Sequence, residues 1–161
     1  MNKRKVLVLI LVGLGTVGIV ACSDSLNDTP FIPGDNEPIN KAGCDDIIIS
    51  ESRYTKAESD EFIFNGMDIK SDSLILTVQY GGGCGPTSFE LITDGLFMES
   101  DPVQLNIFLS FTDEDPCEML VTRDLCFDLT NLVNHYKDSY QTDDGTIILK
   151  IRDFNSITYT F

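Results

Sequence analysis

The residues best equipped for chemistry in this chain are five cysteines and a single histidine, His135, set among 26 acidic side chains. Cys44, Cys84, Cys117 and Cys126 lie in the body of the chain, and Cys22 sits apart near its start. Thiols in such a set could pair, ligate a metal or act as nucleophiles. A structural zinc site is disfavoured, because no Cys-x-x-Cys pair is present and His135 has no partner at ligand spacing. A Ser-His-Asp or Cys-His apparatus would have to use His135, which falls between Val133 and Tyr136 with no nucleophile elbow anywhere. The glycine run Gly81 to Gly83, followed by Cys84, Gly85 and Pro86, lacks the Gly-Lys-Ser/Thr ending and the helix start that a phosphate cradle needs. The acidic stretches Asp113-Glu114-Asp115 and Asp143-Asp144-Gly145 miss the twelve-residue calcium-loop pattern and read as solvated turns. With so many acids no carboxylate pair is singled out for glycoside cleavage, and the absence of Trp removes the usual sugar platform. No catalytic residue, cofactor or metal is therefore expected. Disulfides are the favoured fate of the four body cysteines. The shared loop character of Cys84 and Cys117 favours that bridge, leaving Cys44 with Cys126.

That expectation depends on an oxidising compartment, and the first 22 residues supply the reason to expect one. Asn2-Lys3-Arg4-Lys5 is a basic start, Val6 to Val20 is an uncharged apolar run, and Ile19-Val20-Ala21-Cys22 closes it with a small residue before a cysteine. The apolar run is about 15 residues, short of the ~20 that cross a bilayer, and it contains Gly13, Gly15 and Gly18. This is the pattern of a secretory signal, as opposed to an uncleaved anchor. The tetrapeptide resembles the lipobox of bacterial lipoproteins, which implies cleavage before Cys22 and lipidation of its sulfur. The chain then divides into a signal peptide (1–21), a lipidated cysteine with a flexible tether (22–42) and a β-domain (43–161). Pro30, Pro33, Gly34 and Pro38 with interspersed acids and amides keep the tether extended, averaging roughly 25 Å end to end. Export to an oxidising space is what pairs thiols.

Removal of the signal leaves eight Lys and Arg against 26 Asp and Glu, a net charge near −18. Such a surface repels phosphates, so nucleic acid is excluded as a partner. The membrane, reached through lipidated Cys22, and a protein or glycan of unknown identity remain as partners.

From Gly43 onward the periodicity is mostly two. Asp45 to Ser50 reads as a first strand, with a turn of helix or a loop over 51–60. Phe62 and Phe64 alternate up to a tight-turn signal at Asn65-Gly66. Leu74, Leu76, Val78 and Tyr80 form one face of a strand, and Phe89, Leu91 and Thr93 another, stopped by Asp94-Gly95. Leu105, Ile107, Leu109 and Phe111 make the clearest alternation. Short segments follow at 119–122 and 125–129. Leu129, Leu132, Val133, Tyr136 and Tyr140 then take helical spacing after Asp128. Ile147, Leu149 and Ile151 pair with Ile157, Tyr159 and Phe161 in a closing hairpin. Short strands punctuated by Gly, Pro and Asx predict an all-β fold, a small antiparallel β-sandwich or barrel with one short helix near 129–140.

The run Asp72 to Cys84, then Phe89-Glu90-Leu91, then Leu109 to Glu118, then Phe127-Asp128-Leu129, resembles the C-terminal β-domain of the NigD-like group of small lipoproteins. The resemblance covers roughly 62–151. Where the group can carry a histidine after the first cysteine and another before the acidic loop, this chain has Thr87 and Phe111. That departure argues against a cysteine–histidine metal site and for disulfides. The group has no established activity, so the resemblance implies location and fold. The functional expectation is a lipid-anchored protein of the Gram-negative cell envelope, held at the outer membrane, whose non-catalytic β-domain is a binding or accessory module. A disulfide-braced protease inhibitor, presenting loops 81–87 and 112–118, is the alternative, and a hydrolase of unknown substrate is the second alternative.

Overall fold

A computed structural model describes residues 43–161, so Cys22, the signal and the tether lie outside the described residues. Nine strands and two helices follow in the order β1 (Asp45–Asp46), β2 (Ile48–Ile49), α1 (Glu51–Lys56), β3 (Ile63–Lys70), β4 (Ser73–Gly82), β5 (Thr87–Met98), β6 (Val103–Asp113), β7 (Met119–Asp128), α2 (Thr130–Tyr140), β8 (Thr146–Ile151) and β9 (Ser156–Thr160). They build two sheets, ordered β1-β7-β4-β3 and β2-β5-β6-β8-β9, and neither closes into a barrel. The fold is an all-β sandwich.

The alternation that defines the strands also defines the core. On β4, Leu74, Leu76 and Val78 are fully buried with Tyr80 beside them, and the facing sheet contributes Leu91, Leu105, Ile107, Leu109, Phe111, Ile147 and Leu149. Burying each such side chain contributes about 1.5–3 kcal/mol, enough in sum to oppose the ordering entropy of the chain. Register brings apolar residues opposite each other: Leu76 faces Leu125 between β4 and β7, and Phe89 faces Phe111 between β5 and β6.

Several expectations need correction. The sheets are mixed, because β1 pairs with β7, β2 with β5, and β6 with β8 all in parallel. The predicted first strand, 45–50, is two short strands in different sheets. The chain crosses from one sheet to the other at Ile47, which is buried between them and ties the two edges together. The parallel β6–β8 pair arises because β7 and α2 intervene and return the chain to the same end of the sheet.

Asn65-Gly66 and Asp94-Gly95 are bulges inside continuous strands where turns were expected. At the second, Gly95 takes φ 79°, a conformation that a Cβ disfavours. The Thr93 hydroxyl accepts from the Gly95 N–H and donates to the Asn106 carbonyl, which settles the polar groups that the bulge disturbs. Residues 119–128 form one strand, so the two short segments read there are a single element.

A second helix, α1, occupies the start of the ambiguous stretch and packs on β5. Its N-cap, Ser50, accepts from the Arg53 N–H through its hydroxyl. The helix expected near 129–140 is α2, and it docks Leu132 and Tyr136 into the core. Asp128 acts one residue further out than expected, accepting from the N–H and the hydroxyl of Thr130. No helix among the described residues is long and apolar enough to cross a membrane.

Candidate functional site

The glycine loop after β4 and the acidic loop after β6 meet at one end of the sandwich, where Cys84 and Cys117 form a disulfide with a Cα–Cα distance of 6.0 Å. Asp115 fastens the same pair of loops a second time. Its carboxylate accepts from the backbone N–H groups of Gly83 (2.6 Å), Cys84 (2.9 Å) and Cys117 (2.9 Å). A further N–H, from Gly85, lowers the carboxyl most, and the set holds it at about 2 against partial desolvation. Gly85 is required by this approach, since a Cβ there would lie 2.9 Å from the Asp115 Cα. The loop that sequence reading assigned to a tight turn beside a disulfide thus forms a cradle for the protein's own carboxylate. Cys84, Asp115 and Cys117 lie close enough to suit a metal. Their sulfurs, however, are spent in the disulfide and the carboxylate is spent on backbone donors, so the set offers no thiolate ligand.

Cys44 and Cys126 form the other disulfide, joining the residue before β1 to β7, the strand on which β1 pairs, with a Cα–Cα distance of 4.6 Å. It pins the start of β1 to its sheet. His135 stands far from any cysteine loop in function: its Nε2 lies 2.8 Å from the Gly95 carbonyl, and its ring stacks on Phe97. It locks α2 to the bulge of β5. The other acidic stretch, Asp143-Asp144-Gly145, is a local turn in which the Thr142 hydroxyl donates to the Asp144 carboxylate.

Sequence reading missed a groove of about 480 Å³ beside the cysteine loops. Residues 58–60 run along the distal half of β6, where the Asp60 N–H donates to the Phe111 carbonyl and the Ser110 hydroxyl donates to the Glu58 carbonyl. The chain then swings Phe62 across to the other sheet. Phe62 meets Phe89 and Phe111 edge-on, while Phe154, from the β8–β9 turn, stacks on Phe64 and tilts against Phe62. Ile63, Leu120 and Phe154 line the opening and are 56%, 65% and 38% exposed. They are three of the five large apolar side chains left exposed among the described residues, and Met119, a fourth, adjoins Leu120 in β7. They form an apolar cluster on an otherwise highly charged surface.

Asp60, Glu61 and Asp153 form an acidic rim, and none is in an ion pair among the described residues. Arg152, the one base at the groove, places its guanidinium over the rings of Phe108 (4.6 Å) and Tyr54 (4.8 Å). The signal available in the sequence was Phe154, an aromatic residue placed where a hairpin turn is otherwise polar.

No family model matches the chain, and no curated protein matches it. Among solved structures it is similar to a NigD-like immunity protein from Bacteroides caccae, at 12% identity and a TM-score of 0.52, over 72% of this chain and 58% of that one. It is also similar to a protein of unknown function from Bacteroides vulgatus, at 12% identity and a TM-score of 0.44, over 73% of this chain and 55% of that one. The chain thus spans little more than half the length of these two structures. The first likeness places the β-domain in the same fold as the NigD-like protein.

Proposed function

We propose that this is a lipid-anchored protein of the Gram-negative cell envelope, held at the outer membrane through Cys22, whose β-domain is a binding or accessory module. The observation that carries the binding reading is the contrast between two parts of one end of the sandwich. The residues suited to chemistry there, Cys84, Cys117 and Asp115, are consumed in holding loops together. The adjoining apolar side chains are left exposed in a groove. This arrangement suits contact better than reaction. The membrane half of the proposal rests on the basic start, the apolar run and the cysteine of the first 22 residues, with the tether giving the domain reach.

The test is metabolic labelling with radioactive palmitate, comparing the wild type with Cys22→Ser. Label in the wild type alone, in fractions that sediment with the outer membrane, is the expected result. An unlabelled wild-type chain would overturn the anchor. A protease inhibitor stays as a second reading because loops 81–87 and 112–118 are clamped by both a disulfide and a carboxylate, and rigid loops bind at low entropic cost. Inhibition of a protease panel that disappears when the 112–118 loop is exchanged would favour it. The hydrolase reading gains no geometric support, since His135 is committed to the Gly95 carbonyl.

A further inference from the structure

The groove has a chemistry that narrows its partner. Its floor is aromatic and aliphatic, its rim carries Asp60, Glu61 and Asp153, and its single base is held over two rings. The backbone adds a further feature. Pairing between β3 and β4 ends at Ile63–Gln79, while β4 continues to Gly82, and the groove opens beside the next two β4 residues, Tyr80 and Gly81. A short extended segment laid there would continue the row that β3 leaves off, with successive side chains facing alternately inward and outward.

Resting on the binding-module reading, we infer that this groove docks an extended segment of a partner protein in which apolar and basic residues alternate. The apolar residues cover Phe154, Leu120 and Ile63, and the basic ones meet the acidic rim. Charge decides the choice of occupant. A second copy of this chain, processed at Cys22, would bring 26 more acidic residues against eight basic ones, and anionic lipid headgroups would meet the same rim with like charge. A basic segment gains from both rim and floor, since desolvation of the groove strengthens each pair.

The absence of Trp from the chain provides the assay. The full chain is placed in phosphatidylcholine nanodiscs, with empty nanodiscs as the blank. It is titrated against a hexapeptide of alternating lysine and aliphatic residues carrying one central tryptophan. Expected is a blue shift of tryptophan emission on binding, weakened as salt rises from 50 to roughly 500 mM as screening shortens the reach of the rim charges. Neutralising the rim by Asp60→Asn, Glu61→Gln and Asp153→Asn together should weaken binding at least tenfold. The exposed substitution Leu120→Ser should weaken it comparably without the folding risk of altering Phe154. Removing the same charge elsewhere, by Asp138→Asn, Asp143→Asn and Asp144→Asn, should leave affinity within twofold.

Absence of a blue shift overturns the inference. So does equal binding of the matching glutamate peptide, or equal loss from the two sets of neutralised acids. A doubled particle mass that Leu120→Ser abolishes would assign the groove to a second copy and also overturn it. Palmitate labelling of Cys22 is scored separately. Labelled protein that ignores the peptide therefore discards the groove while keeping the anchor, and unlabelled protein that binds the peptide does the reverse.

Discussion

Replacing each cysteine pair by alanines tests the role of the two bridges quantitatively. Cys44–Cys126 spans 82 residues of chain and Cys84–Cys117 spans 33. If a bridge stabilises by restricting the unfolded chain, its contribution grows with the logarithm of that span. The two spans correspond to about 4.5 and 3.7 kcal/mol respectively, as upper values, because residual structure in the denatured ensemble closes part of each loop already. Against a typical total of roughly 5–15 kcal/mol, either loss takes a large share. In urea, with a slope of about 1–3 kcal/mol per molar, a loss of this size moves the unfolding midpoint by roughly 2 M. The assay is equilibrium urea unfolding at pH 7, followed by far-ultraviolet circular dichroism, on Cys44→Ala/Cys126→Ala and on Cys84→Ala/Cys117→Ala. Reduced wild type serves as the double-loss control. The first variant should be the less stable by about 0.8 kcal/mol, in keeping with the logarithm of the spans. A larger loss from the shorter span, or losses below about 1 kcal/mol in both, would refute the unfolded-state account.

Asp115→Asn should lower the melting temperature at pH 7. Because the folded carboxyl is held at about 2 against an ordinary 3.8, the gap between wild type and variant should be full above pH 3.8 and close as pH falls toward 2. A gap that persists unchanged at pH 2 would refute the charge-based role. Gly95→Ala places a Cβ 2.7 Å from Ile49 Cγ2 and 3.0 Å from His135 Nε2 at a positive φ, so it should cost roughly 2 kcal/mol in the same urea assay. Tyr159 is buried and donates to Asp72 at 2.8 Å, and burial first, then that hydrogen bond, pushes its phenol well above the ordinary 10. Stability gained from the neutral phenol is complete below pH 10 and is lost only as pH climbs beyond it. Absorbance titration at 295 nm should show fewer tyrosines ionising near pH 10 in the folded wild type than in urea, because burial also raises Tyr140, and Tyr159→Phe, which should itself cost about 1.5 kcal/mol, should shrink that difference by one tyrosine.

The strands that were legible are those whose surroundings are simplest. β4 and β6 each present one face to the core, so Leu74, Leu76 and Val78, or Leu105, Ile107 and Leu109, repeat every second residue. The β8–β9 hairpin was legible for the same reason, with Ile147 opposite Tyr159 and Leu149 opposite Ile157. The helix α2 was visible because Leu132 and Tyr136 lie one turn apart. Asn65-Gly66 and Asp94-Gly95 misled because the same dipeptides satisfy a turn and a bulge. Which one forms is decided by whether strand pairing resumes beyond them, a fact about the partner strand. The stretch 45–50 was read as one strand because an Ile-Ile-Ile run does not announce that its first residue is a crossing point.

The groove was hidden for a geometric reason. Phe62, Leu120 and Phe154 come from the lead-in to β3, from β7 and from the β8–β9 turn, and no local pattern connects them. Asp115 was likewise read as one acid in a solvated turn, since its donors at Gly83, Cys84 and Gly85 lie some thirty residues earlier.

By itself the sequence determined the acidity, the alternation that makes the chain β, the amphipathic helix near 129–140 and the thiols available for pairing. Those properties follow from residue type and short-range spacing. The tertiary structure alone decided which strands lie side by side, that three of those pairs run parallel, that Ile47 links the two sheets, and that exposed apolar residues converge beside an acidic rim. These depend on contacts between distant parts of the chain, where burial of the whole core, and no local preference, selects the arrangement.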